Sequence, residues 1–451
     1  MSKIYLNDII CSISDVVDLY SPLTAKHSAR VATIAYNLAK SMSLSNDRVN
    51  KIYIASLLHD IGSVSYHDRV DCLNFEKDET VINGYGKESE KRISKHAEVG
   101  YYLLRYLKHL GHIAEIVRYH HTKWHGNSTL IDDKGIPVEA NIIHLADTIE
   151  LFIKPDKDIL TQKYSIRTNI SKYKDRFHEE LFKCFFEISK ADAFWLEIDH
   201  RSAKSDYLQQ SKNEMIIEDM NELKDFSSVL KRIIDFRSFF TSNHSTSVGN
   251  CARYLAGEMG FNSTEQEMIT IAGYLHDLGK LAIPSEIINK PGPLTNDEYS
   301  IIRSHPYLTY KILTPIKQLD TIKIWAALHH EQMSGNGYPF RKTEETIPLG
   351  SKIVNYIDIF VALAEDRPYR KGMSKKDVEN ILKDKSENNI VSPYVHSVAS
   401  GVIDYIEETR KESETEKKQE RKVKQRIKKN LKNLSVPLAI QIPFNLKSKT
   451  I

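Results

Sequence analysis

The stretch of this sequence with the most evident chemical potential is Tyr274–Lys280, which reads Tyr-Leu-His-Asp-Leu-Gly-Lys. It places a histidine, a carboxylate and an ammonium group within about two helical turns, at the end of an apolar run. Imidazole and carboxylate ligands together suit iron, manganese or zinc. A lysine three residues beyond His-Asp could reach an anion beside such a metal. An isolated His-Asp pair is more often a helix cap or a buried hydrogen bond, so the pair needs support from elsewhere in the chain.

An earlier copy of the motif gives that support. Leu57–Gly62 repeats the pattern, with Ser63 in place of the lysine. In each half the first two candidate histidines are 32 residues apart, and the third precedes a His-His pair by 24. This register predicts two homologous halves with the same order of ligands. The two sets are His27, His59, Asp60, His96, His120, His121 and Asp147, followed by His244, His276, Asp277, His305, His329, His330 and Asp358.

Length and composition describe an ordinary soluble protein. A chain of 451 residues predicts two domains of roughly 200 residues each, and we place them at 1–212 and 213–411, with a basic tail at 412–451. The content of 41% hydrophobic and 27% charged residues is typical of globular proteins. No apolar run approaches the ~18 residues of a membrane span, and no signal peptide opens the chain. The four scattered cysteines favour a reducing cytoplasm.

Hydrophobic periodicity predicts an all-α protein. Apolar residues recur at spacings of three and four, and strand-like alternation is scarce. The segment 66–92 is polar and contains several glycines, so we expect a loop there. Helices are predicted over 6–42 with a break at Pro22, and over 52–61, 96–107, 113–121, 142–152, 269–278, 322–330 and 353–364.

The second half resembles the HD-GYP phosphodiesterases, a bacterial subgroup of the HD metallohydrolases that linearises cyclic dinucleotides. The resemblance spans 226–410 and rests on His276–Lys280, His329-His330-Glu331, Gly337-Tyr338-Pro339 and Asp366–Arg370. The first half resembles a plain HD domain. The tandem HD plus HD-GYP layout is similar to that of bacterial enzymes acting on 3′,3′-cyclic GMP-AMP.

Six or seven ligands in one half are too many for a single tetrahedral zinc site and suit two metal ions about 4 Å apart. The resemblance implies two divalent transition-metal ions, iron or manganese in the first instance. It implies that Asp277 bridges them and that Asp277 and Lys280 are catalytic. Lys280, Arg367 and Arg370 match family positions that contact the phosphates, with surface ion pairs as the alternative for the two arginines. The segment that contains Tyr338 is either only a turn or a turn that also shapes the substrate pocket. The implied ligands are His244, His276 and Asp358 for one metal, and His305, His329 and His330 for the other.

Departures from the family pattern limit these expectations. Ser334 stands where the family's loop usually has an aspartate, and Phe240 stands where some members have a glutamate for a third metal. A dinuclear site is therefore expected. In the first half, Asp156 and Ile159 take the places of the two arginines, and no Gly-Tyr-Pro turn follows His121. We expect a regulatory or degenerate first domain, whose ligand set is either occupied by metal or empty.

The sequence therefore predicts an enzyme that hydrolyses cyclic di-GMP or 3′,3′-cyclic GMP-AMP to a linear 5′-phosphorylated dinucleotide. Another HD-type nucleotide phosphohydrolase and a catalytically silent cyclic-dinucleotide-binding protein are the alternatives. The sequence leaves open whether the chain forms a homodimer. The basic run Lys417–Lys432 lacks the aromatic residues that stack on bases, so it is no firm evidence for nucleic acid or membrane.

Overall fold

The structure of the chain is a computed structural model, and the fold it describes is helical, as the periodicity predicts. Among the described residues, the strands β1 (Ile4–Tyr5) and β2 (Ile216–Ile217) form an antiparallel pair that joins the beginning of the chain to its middle. None of the described helices is long and apolar enough to cross a membrane. The described residues are 4–5, 8–11, 14, 26–62, 87–105, 107, 109–125, 135–200, 216–217, 219–237, 244–290, 292–366 and 371–414.

The first half contains eight labelled helices. Within it, α1, which begins at the predicted ligand His27, packs against both α2 and α5, and α5 carries Asp147. Tyr53, Phe185 and Trp195 are among its largest fully buried side chains. The helices are α1 (His27–Ser41), α2 (Asn46–Leu58), α3 (Lys87–Leu104), α4 (Ala114–Arg118), α5 (Val138–Leu151), α6 (Ile159–Ser171), α7 (Glu179–Ile188) and α8 (Asp192–His200).

The second half repeats this arrangement. Here α10 packs against α11 and α16, as α1 packs against α2 and α5. A further helical segment covers 403–414 and passes the predicted start of the tail at 412. The helices are α9 (Met220–Arg237), α10 (His244–Glu258), α11 (Ser263–Leu275), α12 (Ser285–Ile288), α13 (Asn296–Ile302), α14 (His305–Leu313), α15 (Asp320–Ala327), α16 (Leu349–Ala364), α17 (Lys375–Glu387) and α18 (Pro393–Gly401).

Local sequence signals explain where several helices begin. Asn262 caps α11, and Glu265 returns a hydrogen bond to the Asn262 backbone, which completes a capping box. Thr295 and Glu298 do the same for α13. Asp158 accepts a hydrogen bond from the backbone of the first turn of α6. These caps satisfy backbone N–H groups that the helices themselves leave without partners.

The structure corrects several predicted helix bounds. The predicted loop over 66–92 is wrong at its end, because α3 begins at Lys87. The predicted helix over 113–121 divides into a 3-10 turn, Gly111–Ile113, and the short α4, which ends before His120. Likewise α11 and α15 end just before the His-Asp and His-His pairs that were expected inside them. The domain boundaries stay predictions.

Candidate metal centre

The predicted histidine ligands of the second half lie at helix ends, and this position orients them. The last carbonyls of an α-helix have no partner within the helix. In three cases the histidine just beyond the helix contacts such a carbonyl through its Nδ1, three residues back. Because Nδ1–H donates to a carbonyl, Nε2 is left as the lone-pair atom. The contacts run from His276 to Gly273, from His305 to Ile302 and from His329 to Ala326, each at 2.7 Å.

Two glycines allow the chain to turn into the site. A Cβ added to Gly279 would lie 2.0 Å from the carbonyl oxygen of His305. In the first half, a Cβ at Gly62 would lie 2.1 Å from that of His96. The glycine after each His-Asp pair is therefore needed for close approach of the backbones rather than for an unusual backbone angle.

Seven predicted ligands of the second half converge at one point. The ligand atoms of His244, His276 and Asp358 lie within 4.8 Å of one another, and so do those of His305, His329 and His330. Asp277 stands between the two groups. Its Oδ2 is 3.3 Å from His276 Nε2, and its Oδ1 is 3.3 Å from His305 Nε2. One carboxylate thus faces both groups, as a bridging ligand would.

The chemistry of these atoms fits a bound cation. His305 Nε2 and His329 Nε2 are 3.2 Å apart, although both rings have Nδ1 against a carbonyl. Two neutral imidazoles in that state direct lone pairs at each other, and a cation between them removes the repulsion. Within the described part of the chain, the buried atoms His276 Nε2 and Asp277 Oδ1 also have no hydrogen-bond partner. The donor set therefore fits metal ions.

Burial keeps three of these imidazoles in the neutral form that binds metal. It lowers the pKa of His305, lowers that of His329 well below the usual value, and lowers that of His330 to about 3. His244 differs. Burial would lower its pKa, but hydrogen bonds with Asp358 and Glu365 raise it to about 10. The Asp358 Oδ1 lies 2.8 Å from His244 Nε2.

Lys280 lies at the edge of this cluster, as the sequence predicts. Its Nζ donates to Asp277 Oδ2 over 2.6 Å, and its side chain keeps 24% of its surface exposed. Burial would raise the pKa of Asp277, but the nearby His276 and Lys280 hold it well below its usual range. The ammonium group can therefore contact both the buried carboxylate and a ligand that enters from solvent.

The Gly-Tyr-Pro segment forms a loop that places Tyr338 against the site. The Tyr338 ring lies 4.9 Å from that of His330, at an interplanar angle of 34°. Glu331, which is fully buried, holds the end of the loop by accepting hydrogen bonds from the backbone N–H groups of Phe340 (2.7 Å) and Lys342 (2.9 Å). The Tyr338–Pro339 peptide bond is cis. Glu331 belongs to the His329-His330-Glu331 motif, but no sequence pattern indicates this anchoring contact.

The first half brings its predicted ligands together in the same way. His59 and His120 contact the carbonyls of Ser56 and Val117 through Nδ1, at 2.7 and 2.6 Å. The grouped ligands there include His27, His59 and Asp147, and separately His96, His120 and His121. Asp60 Oδ1 lies 3.4 Å from His96 Nε2 and 3.7 Å from His59 Nε2.

Comparison with known proteins agrees with this duplicated geometry. A family model described as "HD domain" matches residues 24–151, and a second model with the same description matches 228–390. The chain carries two HD domains in tandem.

Individual relatives match the chain over a third to nine tenths of its length. The chain is 28% identical to the 3′3′-cGAMP-specific phosphodiesterase 1 of Vibrio cholerae over 368 residues, which is 79% of this chain and 82% of the relative. It is 35% identical to the cyclic di-GMP phosphodiesterase response regulator RpfG of Xanthomonas campestris over 167 residues, 36% of this chain and 44% of the relative. The crystal structure of V-cGAP3, a cyclic GMP-AMP-specific phosphodiesterase of V. cholerae, matches with a TM-score of 0.60 at 19% identity. That match covers 89% of this chain and 98% of the other and supports the fold.

Each HD domain also has a glutamate behind its first histidine, a contact that no sequence pattern predicts. In the first HD domain, Glu150 Oε2 lies 2.7 Å from His27 Nδ1 and the carboxylate also pairs with Arg30. In the second, Glu365 Oε2 lies 3.4 Å from His244 Nδ1. Such outer contacts orient metal-binding imidazoles. The repeat gave no signal for them, because Glu150 follows its aspartate by three residues and Glu365 follows by seven.

Some predicted residues lie outside the described part of the chain. These include Arg367 and Arg370, the predicted phosphate contacts, and Phe240, at the place of a third-metal glutamate. Ser63 and the basic run at 417–432 also lie outside the described residues. Their roles stay predictions. Ser334 is described, and it lies exposed on the loop that carries Tyr338.

Proposed function

We propose that this chain is a metal-dependent phosphodiesterase that opens a cyclic dinucleotide to a linear 5′-phosphorylated dinucleotide, and that the reaction takes place in the second HD domain. The observation that carries the proposal is the convergence of seven ligand side chains around Asp277, with Lys280 at the solvent edge. According to their names, the relatives described above act on 3′3′-cGAMP or on cyclic di-GMP. Cytoplasmic location is part of the proposal, in line with the free cysteines Cys11, Cys184 and Cys251.

Two divalent transition-metal ions, iron or manganese, complete the proposed site. His244, His276 and Asp358 would hold one ion, His305, His329 and His330 the other, and Asp277 would contact both. When bound, such a pair lowers the pKa of a water and offsets the charge that builds on a phosphate. Soft thiolate ligands are absent from the described cluster, and mixed imidazole and carboxylate ligands suit these metals.

The chain's own residues then orient the substrate and balance its charge. Lys280 is within reach of a phosphate oxygen opposite Asp277, and Arg367 and Arg370 are proposed to contact the phosphates as well. Water attacks phosphorus, the bond from phosphorus to the 3′-oxygen breaks, and the 3′-oxygen takes up a proton. The phosphate stays on the 5′-oxygen. The increase in negative charge at phosphorus is what the Lys280 ammonium group stabilises.

The first HD domain is proposed to bind metal without turning over substrate. His96 Nε2 lies 3.3 Å from His120 Nε2 and 3.0 Å from His121 Nε2, the same close approach of ring nitrogens as in the second domain. However, Ser63 replaces the lysine, and Thr122 stands at the place of Glu331. A dianionic ligand would therefore find fewer cations and no anchored tyrosine loop there. This difference supports a regulatory or ligand-sensing role.

The test is hydrolysis of a small substrate panel. Metal-loaded full-length chain is incubated with cyclic di-GMP, 3′,3′-cyclic GMP-AMP and cyclic di-AMP, and separately with nucleoside triphosphates, and the products are separated by chromatography. We expect linear dinucleotides with a 5′-phosphate from at least one cyclic substrate. Hydrolysis of the triphosphates alone would support the other HD-type phosphohydrolases. Binding without hydrolysis of any cyclic substrate would support a silent binding protein.

A further inference from the structure

A second cation, Arg303, lies next to the proposed active site and was not part of any predicted motif. It follows α13 directly and precedes the ligand His305 by two residues. Its guanidinium carbon is 4.7 Å from the centre of the Tyr338 ring and 5.8 Å from that of Tyr299. Because the Tyr338 ring is itself in contact with His330, one aromatic ring separates Arg303 from a predicted metal ligand.

The charge of Arg303 is not balanced by a carboxylate within the described structure. Lys280 pairs with Asp277, and Lys290 pairs with Glu298, but no carboxylate among the described residues is in ion-pair contact with Arg303. An arginine that lies against a tyrosine ring keeps its N–H donors in one plane. Those donors can make two parallel hydrogen bonds to a ligand without breaking an existing pair.

We propose that Arg303, with Tyr338 and Tyr299, is a guanine-recognition subsite that sets the specificity of the second HD domain. This inference rests on the function proposed above. Arginine binds guanine through O6 and N7 with two hydrogen bonds, whereas adenine presents its N6 amino donor at the place of O6. Tyr299 is 49% exposed and offers a ring face to a purine. The subsite therefore accepts guanine and disfavours adenine.

The surroundings favour a base over a second phosphate as the ligand of Arg303. The scissile phosphate already has Lys280 and the proposed metals. The rings of Tyr338 and Tyr299 lie against the Arg303 guanidinium. In the first HD domain, Ser94 occupies the position two residues before His96, and no counterpart of Tyr338 follows the His-His pair. The pair Arg303–Tyr338 thus accompanies the domain that we propose to be catalytic.

This subsite predicts the direction in which a mixed substrate docks. Cyclic GMP-AMP contains one guanine and one adenine. If Arg303 holds the guanine, only one of the two phosphodiester bonds lies across the metal ligands. Water then opens that bond, and one linear isomer predominates. A symmetric substrate such as cyclic di-GMP binds equally well in either direction.

The experiment compares wild type with Arg303→Ala, Arg303→Lys and a control, Lys311→Ala. Lys311 is an exposed cation on α14, so its removal changes the net charge of the same region without touching Tyr338. The value of kcat/KM is measured for cyclic di-GMP, 3′,3′-cyclic GMP-AMP and cyclic di-AMP, and mass spectrometry identifies the linear isomer formed from the mixed substrate. Metal content and the thermal midpoint confirm that each variant is folded.

For Arg303→Ala we expect kcat/KM to fall by about tenfold to a hundredfold with both guanine-containing substrates and much less with cyclic di-AMP. The mixed substrate should then yield both linear isomers. Arg303→Lys keeps the charge but loses the two-pronged contact, so it should also lose guanine selectivity. Lys311→Ala should resemble wild type in both selectivity and isomer ratio.

Three results would overturn the subsite. The first is an equal loss of kcat/KM with all three substrates, which indicates a phosphate contact. The second is an unchanged kcat/KM with every substrate, and the third is an unchanged ratio of linear isomers from the mixed substrate. If Arg303→Ala does not fold, the same selectivity measurements on Arg303→Lys decide the question. Wild-type enzyme that leaves every cyclic dinucleotide intact would instead contradict the proposed function itself. The two failures are therefore distinguishable.

Discussion

The two HD domains share a ligand set and differ in what surrounds it. In both, histidines beyond helix ends contact carbonyls three residues back, and the ligand atoms approach to similar distances. Around the second set stand Lys280, Arg303 and the loop with Tyr338. The helical fold thus supplies the predicted metal ligands twice, whereas Lys280, Arg303 and Tyr338 all belong to the second domain.

The first domain differs in the charged side chains that contact its first predicted ligand, His27. Burial would lower the pKa of His27, but Glu150 raises it to about 9. Burial would raise the pKa of Glu150, but His27 and Arg30 lower it to about 2. In the second domain, Ser247 occupies the place of Arg30, and Glu365 stands farther from His244. The first centre thus has an Arg30–Glu150 ion pair behind its first histidine, and the second has no such arginine at the matching position.

The largest effect is expected from Asp277→Ala. This change removes the carboxylate that faces both ligand groups, so we expect kcat/KM to fall roughly a thousandfold or more. Metal content measured by elemental analysis should fall as well, because the shared ligand is lost. Asp297→Ala, which removes an exposed carboxylate from the first turn of α13, is the matched control and should retain activity. A folded Asp277→Ala protein with full metal content and wild-type turnover would contradict the assigned role of Asp277.

A smaller effect is expected from Lys280→Ala. Loss of one preorganised cation should cost roughly 2–3 kcal/mol of transition-state stabilisation, or about 30- to 150-fold in kcat. The metals should remain, since lysine is not among the ligands. Lys290→Ala, which removes an ammonium group paired with Glu298, serves as the control. Elemental analysis would reveal whether Lys280→Ala lowers activity only by releasing metal. In that case Lys280 would have a structural role, and its replacement by Ser63 in the first domain would not explain a difference in catalysis.

The repeat predicts the ligands because chemistry ties them to fixed points of the fold. His59 and His276 recur in register since each lies just past a helix end and next to a glycine that must approach another backbone closely. Periodicity identified the helices but extended α11 and α15 through these histidines, since apolar spacing continues past the point where the last turn ends. Histidine capping of a carbonyl is a three-dimensional feature that apolar spacing does not reveal.

Residues that act across long separations were not predictable in the same way. Glu150 reaches His27 across 123 residues, and Glu365 reaches His244 with a different spacing from its aspartate, so no repeat links the two glutamates. Arg303 precedes a predicted ligand by only two residues, but its contact with Tyr338 depends on the path of a loop anchored by Glu331. Such contacts depend on tertiary packing, and a single sequence does not contain a local pattern for them.

The smallest effect on turnover is expected from changing the first domain's own motif. We expect His59→Ala combined with Asp60→Ala to leave kcat within about threefold of wild type, because Lys280, Arg303 and Tyr338 all belong to the second domain. Elemental analysis should nevertheless show less metal per chain, since both replaced residues are buried members of the first ligand set. His276→Ala, the matched change in the second domain, should abolish hydrolysis. Calorimetry tests whether the double variant is folded and binds substrate, and a single-turnover assay tests the chemical step. If the variant binds substrate but fails in the single-turnover assay, both domains are needed for chemistry. The division between a metal-binding first domain and a catalytic second domain would then be wrong.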